Sequence, residues 1–306
     1  MKKWQKIGQI VIYLLVIFFI IRIFFTYWPT IELSLIHINF SYIILSILCF
    51  FTSFLLLNLV WYQIIKPLGK ISLIESLFIY YKSQIIRYIP GNIWGYGARV
   101  YFLKKVGFES TQIIPGLIYE SLLLCFSSIF TYFIFRYFLA APFYLDVSLA
   151  IIGIFILLVL INHKIFFLFL KIFRRGDITY YISIKKTVIY SLQYFFYWLS
   201  CGFGLYFLIL TFSPLPISKI WAVIMIYAAA WVIGYLSLIT PSGLGVRELS
   251  LIFLLPKIIV QSLAGLLAVF SRLISMIGEL AGLFIFYLLK RQMKKKINNL
   301  PSVINK

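Results

Sequence analysis

Two segments of the chain share one pattern, G-x-G-x-R: Gly95-Tyr96-Gly97-Ala98-Arg99 and Gly243-Leu244-Gly245-Val246-Arg247. Each lies a few positions after a proline, Pro90 or Pro241, inside an otherwise strongly apolar stretch. Glycine and proline interrupt a helix, and the arginine that follows is placed at membrane depth. Broken apolar segments at matching places in two halves of a chain are typical of a transporter-type site. We therefore interpret the two segments as an internal repeat.

The composition around these segments predicts an all-α polytopic membrane protein. Hydrophobic residues make up 63% of the chain, charged residues 12%, and the mean hydropathy is +1.03, which excludes a soluble domain. The first apolar run is too long for a signal peptide and no A-x-A-like cleavage site follows it, so we interpret it as a retained helix. Six stretches are each predicted to span the bilayer: 7–28, 41–65, 113–138, 144–163, 187–212 and 258–289.

The two remaining apolar stretches, 73–103 and 219–255, contain the motifs, and each is either a re-entrant hairpin or one kinked crossing. Starting from a cytoplasmic N-terminus, the hairpin threading places 19 basic residues inside and 3 outside, whereas single crossings place 13 inside and 9 outside. The positive-inside rule therefore favours hairpins and puts both termini in the cytoplasm. The same rule explains the net charge of +20 without a nucleic-acid partner.

This threading relates the two halves by inversion, which suits alternating access around a midplane site. The first hairpin enters from the inside and the second from the outside. We expect one membrane domain over 1–306, with a first repeat at about 1–140, a second at about 141–290, and a basic cytoplasmic tail at 291–306.

The two motif arginines are the leading candidates for binding a lipid phosphate. Each is expected to open a half-helix just after its glycines, where free N–H groups and the helix dipole favour an anion, and a guanidinium matches phosphate geometry. The alternative is that each arginine pairs with a buried glutamate as internal support. The predicted binding set is Arg99, Arg247, Gly95, Gly97, Gly243 and Gly245. The predicted helix breakers are Pro90, Gly91, Asn92, Pro241 and Ser242.

Other ionisable groups at membrane depth are expected to support this site. A charge at the bilayer centre needs a partner, water or a function. For Lys82 and Arg87, on the entering arm of the first hairpin, lining of the site and snorkelling both stay open. The residues predicted to balance the arginines or to carry a coupling proton are Glu120, Glu248, Arg272 and Glu279.

Signatures of enzymes, metals and cofactors are missing from the sequence. It contains no nucleophile elbow, no P-loop and no H-E-x-x-H motif. Its three cysteines lie singly in apolar segments and have no metal-ligand spacing, so we expect neither a metal nor a cofactor.

The segments Ile89–Arg99 and Thr240–Glu248 resemble the two hallmark segments of the lysylphosphatidylglycerol synthase transmembrane-region family, also called the flippase-like domain family. That family includes the flippase half of the bacterial multiple peptide resistance factor and archaeal proteins linked to dolichol-phosphate sugar pathways. The resemblance implies a role in lipid translocation, with Arg99, Arg247 and Glu248 as matching residues, and a glutamate at the place of Glu120. Bifunctional members carry a soluble aminoacyl-transferase domain, which we do not expect here, so the synthase activity is not carried over.

The leading hypothesis is translocation of an anionic or phosphate-bearing lipid, with or without a sugar or aminoacyl group, between leaflets of the plasma membrane. One alternative is a membrane transferase acting on a lipid phosphate, for which Glu120, Glu248 or Glu279 would have to serve as acid or base. The other is a non-catalytic partner of an envelope- or glycolipid-synthesis enzyme. A homodimer also stays open, and the lipid, the direction and the energy source do not follow from the sequence.

Overall fold

The computed structural model describes residues 39–87, 94–172, 182–237, 243 and 245–298. The predicted first helix at 7–28 and the five predicted helix breakers lie outside these residues. Across the described ranges the fold is all-α, with ten α-helices joined by short turns and 3-10 segments. The helices are α1 (Phe40–Ile65), α2 (Leu73–Ile86), α3 (Trp94–Lys105), α4 (Ser110–Ile134), α5 (Phe143–Ile161), α6 (His163–Ile172), α7 (Ile184–Leu210), α8 (Ile220–Leu236), α9 (Val246–Leu254) and α10 (Gln261–Asn298).

Six of the described helical stretches are long and apolar enough to cross a bilayer, so the chain is a multi-pass membrane protein. Five of them correspond to predicted spans. The sixth, Ile217–Leu236, is the entering arm of the second broken stretch. Its 20 residues carry no glycine or proline break until Gly234, and at about 1.5 Å per residue they reach about 30 Å. The arm that follows, α9, has only nine residues. That α8 and α9 form a re-entrant hairpin therefore stays a prediction.

Each motif-bearing stretch forms two helices rather than one, as the glycines and prolines predict. Helices α2 and α3 pack against each other, and so do α8 and α9. Small residues let the paired backbones approach closely. A Cβ on Gly95 would lie 2.8 Å from the Cβ of Arg87, and a Cβ on Gly243 would lie 2.8 Å from the carbonyl carbon of Gly234. The inverted relation of the two halves stays a prediction.

Helix α8 lies in the middle of the bundle, and its run from Ala222 to Ala230 is almost completely buried. A helix that is apolar on all sides is expected to be surrounded by other helices. It packs against α4, α7 and α9, while α1 packs along α7 and α10. Hydrogen bonds between helices also fix their packing. For example, the Ser128 Oγ on α4 donates to the Ala228 carbonyl on α8 at 2.8 Å. This arrangement brings the two motif-bearing helix pairs toward one interior space.

Candidate functional site

Both motif arginines line the same cavity, which has a volume of about 220 Å³. Residues 148 positions apart in sequence thus converge on one space. The cavity wall is mixed, with guanidinium, carboxylate and hydroxyl groups set among aromatic rings. The first half of the chain contributes Phe54, Leu57, Tyr80, Gln84, Arg87, Gly95, Tyr96, Arg99, Glu120, Ser121 and Leu124. The second half contributes Tyr197, Tyr227, Trp231, Gly234, Tyr235, Gly243, Arg247, Arg272 and Ser275.

Arg99 is fully engaged by neighbouring side chains. Its Nη1 donates to the Glu120 Oε2 at 2.5 Å, and its Nε donates to the Ser83 Oγ at 3.3 Å. The Tyr80 hydroxyl donates to the other Glu120 oxygen at 2.7 Å. The Arg99 guanidinium also faces three rings, and its Cζ lies 3.8, 4.7 and 5.9 Å from the centroids of Tyr80, Trp61 and Tyr96. Ion pairing and ring contacts together hold Arg99 in place, as the internal-support interpretation predicts.

Arg247 is equally buried, at 7% exposure, but it has a different set of contacts. Its Nη2 donates to the Tyr227 hydroxyl at 3.0 Å, and its Cζ lies 4.8 Å from the Tyr227 ring centroid. Among the described residues, its Nε has no hydrogen-bond partner and no carboxylate lies within 4.0 Å of this guanidinium. A buried charge is costly unless it is paired and hydrogen-bonded. Arg247 therefore presents unused donor capacity at the cavity wall.

Two further arginines reach the cavity with partners on other helices. Arg87, at the end of α2, forms an ion pair with Glu279 on α10. Arg272, on α10, lies 3.7 Å from Glu248 on α9. The second Glu248 oxygen accepts a hydrogen bond from the Gly245 N–H at 2.7 Å, which caps the start of α9. Glu248 thus supports both its own helix and Arg272.

The expectation that each arginine opens a half-helix holds for Arg247 and is wrong for Arg99. Helix α9 begins at Val246, directly after Gly245, whose φ of +86° breaks the helix. Helix α3 begins earlier, at Trp94, so both glycines of the first motif lie inside it. The backbone N–H of Arg99 is therefore used within the helix. Unlike Arg247, Arg99 does not lie in the first turn of its helix, where free N–H groups could bind an anion.

The structure brings most, but not all, of the predicted site residues to the cavity wall. Gly95, Gly243, Glu120 and Arg272 line it together with the two motif arginines. Gly97, Gly245, Glu248 and Glu279 are not among the lining residues. Of the two basic residues left open on the first arm, Arg87 lines the cavity. Lys82 instead lies 4.4 Å from the Phe102 ring centroid.

The motif pattern alone does not identify two tyrosines that hold the arginines. Tyr80 lies 19 residues before Arg99, and Tyr227 lies 20 residues before Arg247. Each tyrosine projects from the first helix of its pair and contacts the arginine on the second. The distance in sequence from tyrosine to arginine is thus nearly equal in the two halves, and aligning the halves on their motifs could have identified both tyrosines.

Hydroxyl groups join the two halves at the cavity wall. The Tyr96 and Tyr235 oxygens are 2.6 Å apart, and Tyr96 also lies 3.0 Å from the Ser121 Oγ. Tyr235 stacks on Trp231 with ring centroids 4.9 Å apart. Trp94, two residues before Tyr96, is 45% exposed and does not line the cavity. Within the described ranges, no group of three His, Cys, Asp or Glu residues could hold a metal ion.

Comparison with known protein families gives a match over most of the chain. The family model described as Lysylphosphatidylglycerol synthase TM region matches residues 7–282. A search of curated proteins found no match. The matched range contains both motifs and every described residue of the cavity wall.

Proposed function

Because the chain belongs to the lysylphosphatidylglycerol synthase TM region family, we propose that it moves an anionic, phosphate-bearing membrane lipid between leaflets. The family supports a function related to membrane lipids, and the multi-pass fold supports a path through the bilayer. In this proposal the headgroup enters the cavity between the two helix pairs while the acyl chains stay in the surrounding lipid.

The observation that carries the proposal is the position of Arg247 in the cavity wall without an acidic partner among the described residues. A guanidinium presents a planar fork of donors that matches two phosphate oxygens. Arg247 also lies in the first turn of α9, where the helix dipole favours negative charge. A phosphate group would supply the charge and the acceptors that the described protein groups leave open at Arg247.

The size of the cavity supports binding of a headgroup rather than of a whole lipid. Its volume of about 220 Å³ lies below the range of about 300–1,000 Å³ that is usual for sites holding drug-sized ligands. A phosphodiester with a small alcohol fits such a space, whereas two acyl chains do not. The lipid tails therefore remain outside the cavity in this proposal.

Transport is favoured over the transferase alternative by the state of the three candidate acids. Glu120 accepts hydrogen bonds on both carboxylate oxygens, from Tyr80 and Arg99. Glu248 caps α9 and lies beside Arg272, and Glu279 pairs with Arg87. A general acid or base must reach the reacting proton directly or through one water. All three carboxylates instead partner arginines that line the cavity.

We also propose a plasma-membrane location with both termini in the cytoplasm, in agreement with the 19 basic residues that the hairpin threading places on that side. A single cysteine introduced at Lys290 into a variant lacking Cys49, Cys125 and Cys201 tests this orientation. In intact cells a membrane-impermeant maleimide should leave it unlabelled until the membrane is opened. Labelling before opening would reverse the orientation.

The test of transport is a translocation assay in proteoliposomes that contain a fluorescent phosphatidylglycerol, with outer-leaflet fluorescence quenched by dithionite. Wild-type protein should make inner-leaflet lipid accessible. Arg247→Gln should slow this by about tenfold or more, since hydrogen bonds to a charged group contribute about 1.5–3 kcal/mol. Arg291→Gln makes the same chemical change at an exposed position and should have no effect. Equal rates in wild type, Arg247→Gln and empty liposomes would exclude the proposal.

A further inference from the structure

We propose that the outer face of the first helix pair carries a separate site for the phosphate group of a membrane lipid, and that this site loads the cavity. The phosphate is held between Lys82 of α2 and Lys290 of α10, neither of which lines the cavity. The binding part of this inference stands on its own contacts. The loading part rests on the proposed function, because it needs a lipid that continues to Arg247.

Two ammonium groups from different helices meet at one aromatic ring. The Lys82 Nζ lies 5.8 Å from the centroid of the Phe78 ring, and the Lys290 Nζ lies 4.9 Å from the same centroid. Two further rings complete the cluster. The Phe102 ring on α3 lies 4.4 Å from the Lys82 Nζ, and the Tyr287 ring on α10 lies 6.3 Å from the Phe78 ring. These contacts hold both cations on one surface of the protein.

The charges of this cluster are not balanced among the described residues. Lys290 pairs with Glu75 at 2.8 Å, whereas no carboxylate of the described residues lies within 4.0 Å of the Lys82 ammonium. Lys82 is half-buried, and a charge within a membrane-spanning region needs a partner. Two like charges beside one ring also repel each other. An anionic oxygen between them would pair with Lys82 and relieve that repulsion.

The cluster lies at the level where lipid headgroups meet the apolar core of the bilayer. On α10 the sequence Tyr287-Leu288-Leu289-Lys290-Arg291 passes from aromatic and apolar to basic residues, which is typical of the membrane–water interface. The pair between Lys290 and Glu75 places the start of α2 at the same level. Lys82 begins deeper, but its ammonium reaches back to the Phe78 ring, one turn nearer the start of α2. Both ammonium groups can therefore reach a lipid phosphate.

An apolar stripe on α10 provides a surface for the acyl chains of the same lipid. It consists of Leu273, Ile277, Leu280, Phe284 and Tyr287, which are between 45% and 63% exposed. Spacings of three and four residues place them on one face of the helix. The last member of the stripe contacts the cluster through its ring. A lipid that lies along this stripe therefore brings its phosphate to the two lysines.

The next cation along α2 belongs to the cavity wall. Arg87 follows Lys82 by five residues, which is about 7.5 Å along the helix, and its guanidinium lines the cavity. Five residues also turn the chain so that Arg87 faces about 140° away from Lys82. A headgroup that moves along α2 from Lys82 thus reaches the cavity at Arg87. This order of cations assigns the loading step to Lys82.

The test of binding is native mass spectrometry of the purified full-length protein in mild detergent. The protein is supplied with phosphatidylglycerol and with digalactosyl-diacylglycerol, which has no phosphate, with identical acyl chains. Arg247→Gln serves as the background, because the proposed function predicts that this variant loses lipid retention in the cavity. In that background, Lys82→Gln and Lys290→Gln should each lower the phosphatidylglycerol that remains bound by about fivefold, the contribution of one lysine near an anionic surface. Retention of the glycolipid should not change.

Lys105→Gln is the matched control for these variants. Lys105 is exposed at the end of α3 and contacts an aromatic ring, that of Tyr101, with the Nζ 4.5 Å from the centroid. Among the described residues no second ammonium shares that ring. Lys105→Gln should therefore leave retention unchanged, and Lys82→Arg, which keeps the charge, should keep most of it. Unchanged retention in both Lys82→Gln and Lys290→Gln, or an equal loss in Lys105→Gln, would overturn the inference.

Competition separates a lipid headgroup from a soluble anion as the occupant. Inorganic phosphate in about a hundredfold excess over lipid should leave phosphatidylglycerol bound in the Arg247→Gln background, because it lacks acyl chains that lie along α10. Displacement by inorganic phosphate would assign the two lysines to a soluble anion and overturn the lipid assignment.

Translocation at two lipid concentrations tests the loading step. In liposomes of digalactosyl-diacylglycerol with about 2% phosphatidylglycerol, Lys82→Gln should be about fivefold slower than wild type. At about 30% phosphatidylglycerol the two rates should agree within about twofold, because abundant lipid replaces loading. Equal rates at the low concentration, or the same slowing at both, would overturn the loading step.

The same assay distinguishes the failure of this inference from the failure of the proposed function. If Arg247→Gln translocates lipid as fast as wild type while Lys82→Gln still loses bound phosphatidylglycerol, the proposed function fails and the outer site stands. If Arg247→Gln is slow and both lysine variants bind and move lipid like their parent proteins, the proposed function stands and the outer site is excluded.

Discussion

The two copies of the G-x-G-x-R motif give their arginines different surroundings within one cavity. Arg99 in the first copy is held by Glu120, Ser83 and three aromatic rings. Arg247 in the second copy has one tyrosine and no carboxylate among the described residues. The difference comes from the next long helix after each motif. Helix α4 brings a carboxylate, that of Glu120, to the cavity, whereas α10 brings a guanidinium, that of Arg272. The two copies of the motif therefore bring both arginines to one wall with different partners, and the proposed function assigns support to Arg99 and anion binding to Arg247.

The backbone divides the two copies in the same way. Gly97 lies within α3, and nothing lies within 4 Å of a Cβ built on it, whereas Gly245 adopts φ +86° and ends the break before α9. The first motif forms a continuous helix around a fixed arginine. The second places its arginine in the first turn of a new helix, where the helix dipole favours negative charge.

The largest expected effect on stability is that of Glu120→Gln, which removes the carboxylate that pairs with Arg99 in the first copy of the motif. It leaves the buried Arg99 without a counter-charge, and removal of one partner of a buried ion pair costs about 3–5 kcal/mol. Unfolding in detergent, followed by circular dichroism, measures the loss. Glu75→Gln, in the half-exposed pair with Lys290, is the control and should cost at most about 1 kcal/mol. Equal losses in the two variants would contradict the assignment of Arg99 as support.

The next largest effect on stability is that of Gly243→Ala, which changes the first glycine in the second copy of the motif. Its φ is +67°, and the added Cβ would lie 2.8 Å from the carbonyl carbon and oxygen of Gly234. Strain of this kind and overpacking each cost about 1–3 kcal/mol. We expect a lower unfolding temperature together with slower lipid translocation, because Arg247 lies four residues further on. Unchanged stability would show that the α8–α9 contact adjusts freely.

A smaller effect on stability is expected for Arg247→Gln. This variant compares the two motif arginines directly, because Arg99→Gln makes the same change in the first copy. Arg247 is not part of an ion pair in the described structure, so its removal strands no buried carboxylate there. The free energy of unfolding should stay within about 1 kcal/mol of wild type while lipid retention falls. Arg99→Gln should show the opposite result, because it strands Glu120. A loss of 3 kcal/mol or more in Arg247→Gln would make both arginines supports.

The smallest effect is that of Gly97→Ala, which tests whether the first motif needs its second glycine. The position is helical and a Cβ there meets no atom within 4 Å. Alanine in a helix interior is favoured over glycine by up to about 1 kcal/mol, so stability should stay the same or rise by that amount. Gly95→Ala is the matched comparison and should be destabilising, because its Cβ would lie 2.8 Å from the Cβ of Arg87.

The sequence predicts the parts of this molecule that depend on local pattern. Apolar length predicts the spans, the glycines and prolines predict two helix pairs, and repetition of the motif predicts that Arg99 and Arg247 belong to one site. The division of tasks between them does not follow from local pattern. It depends on contacts such as Arg87 with Glu279, which lie 192 positions apart, and on whether Glu120 reaches Arg99. Such contacts are set by the rotation of whole helices in the bundle, which hydrophobic spacing constrains only loosely.

The close approach of Gly243 to Gly234 also changes how this motif is best searched for in genomes. The glycine four positions before the arginine is required in both halves, because a Cβ at Gly95 or Gly243 would lie 2.8 Å from the neighbouring helix. The middle glycine is required only in the second half, where φ is positive. A search string that demands both glycines twice discards chains able to build the same cavity. A string with one glycine, three free positions, an arginine, and a tyrosine 19 or 20 positions upstream retains them.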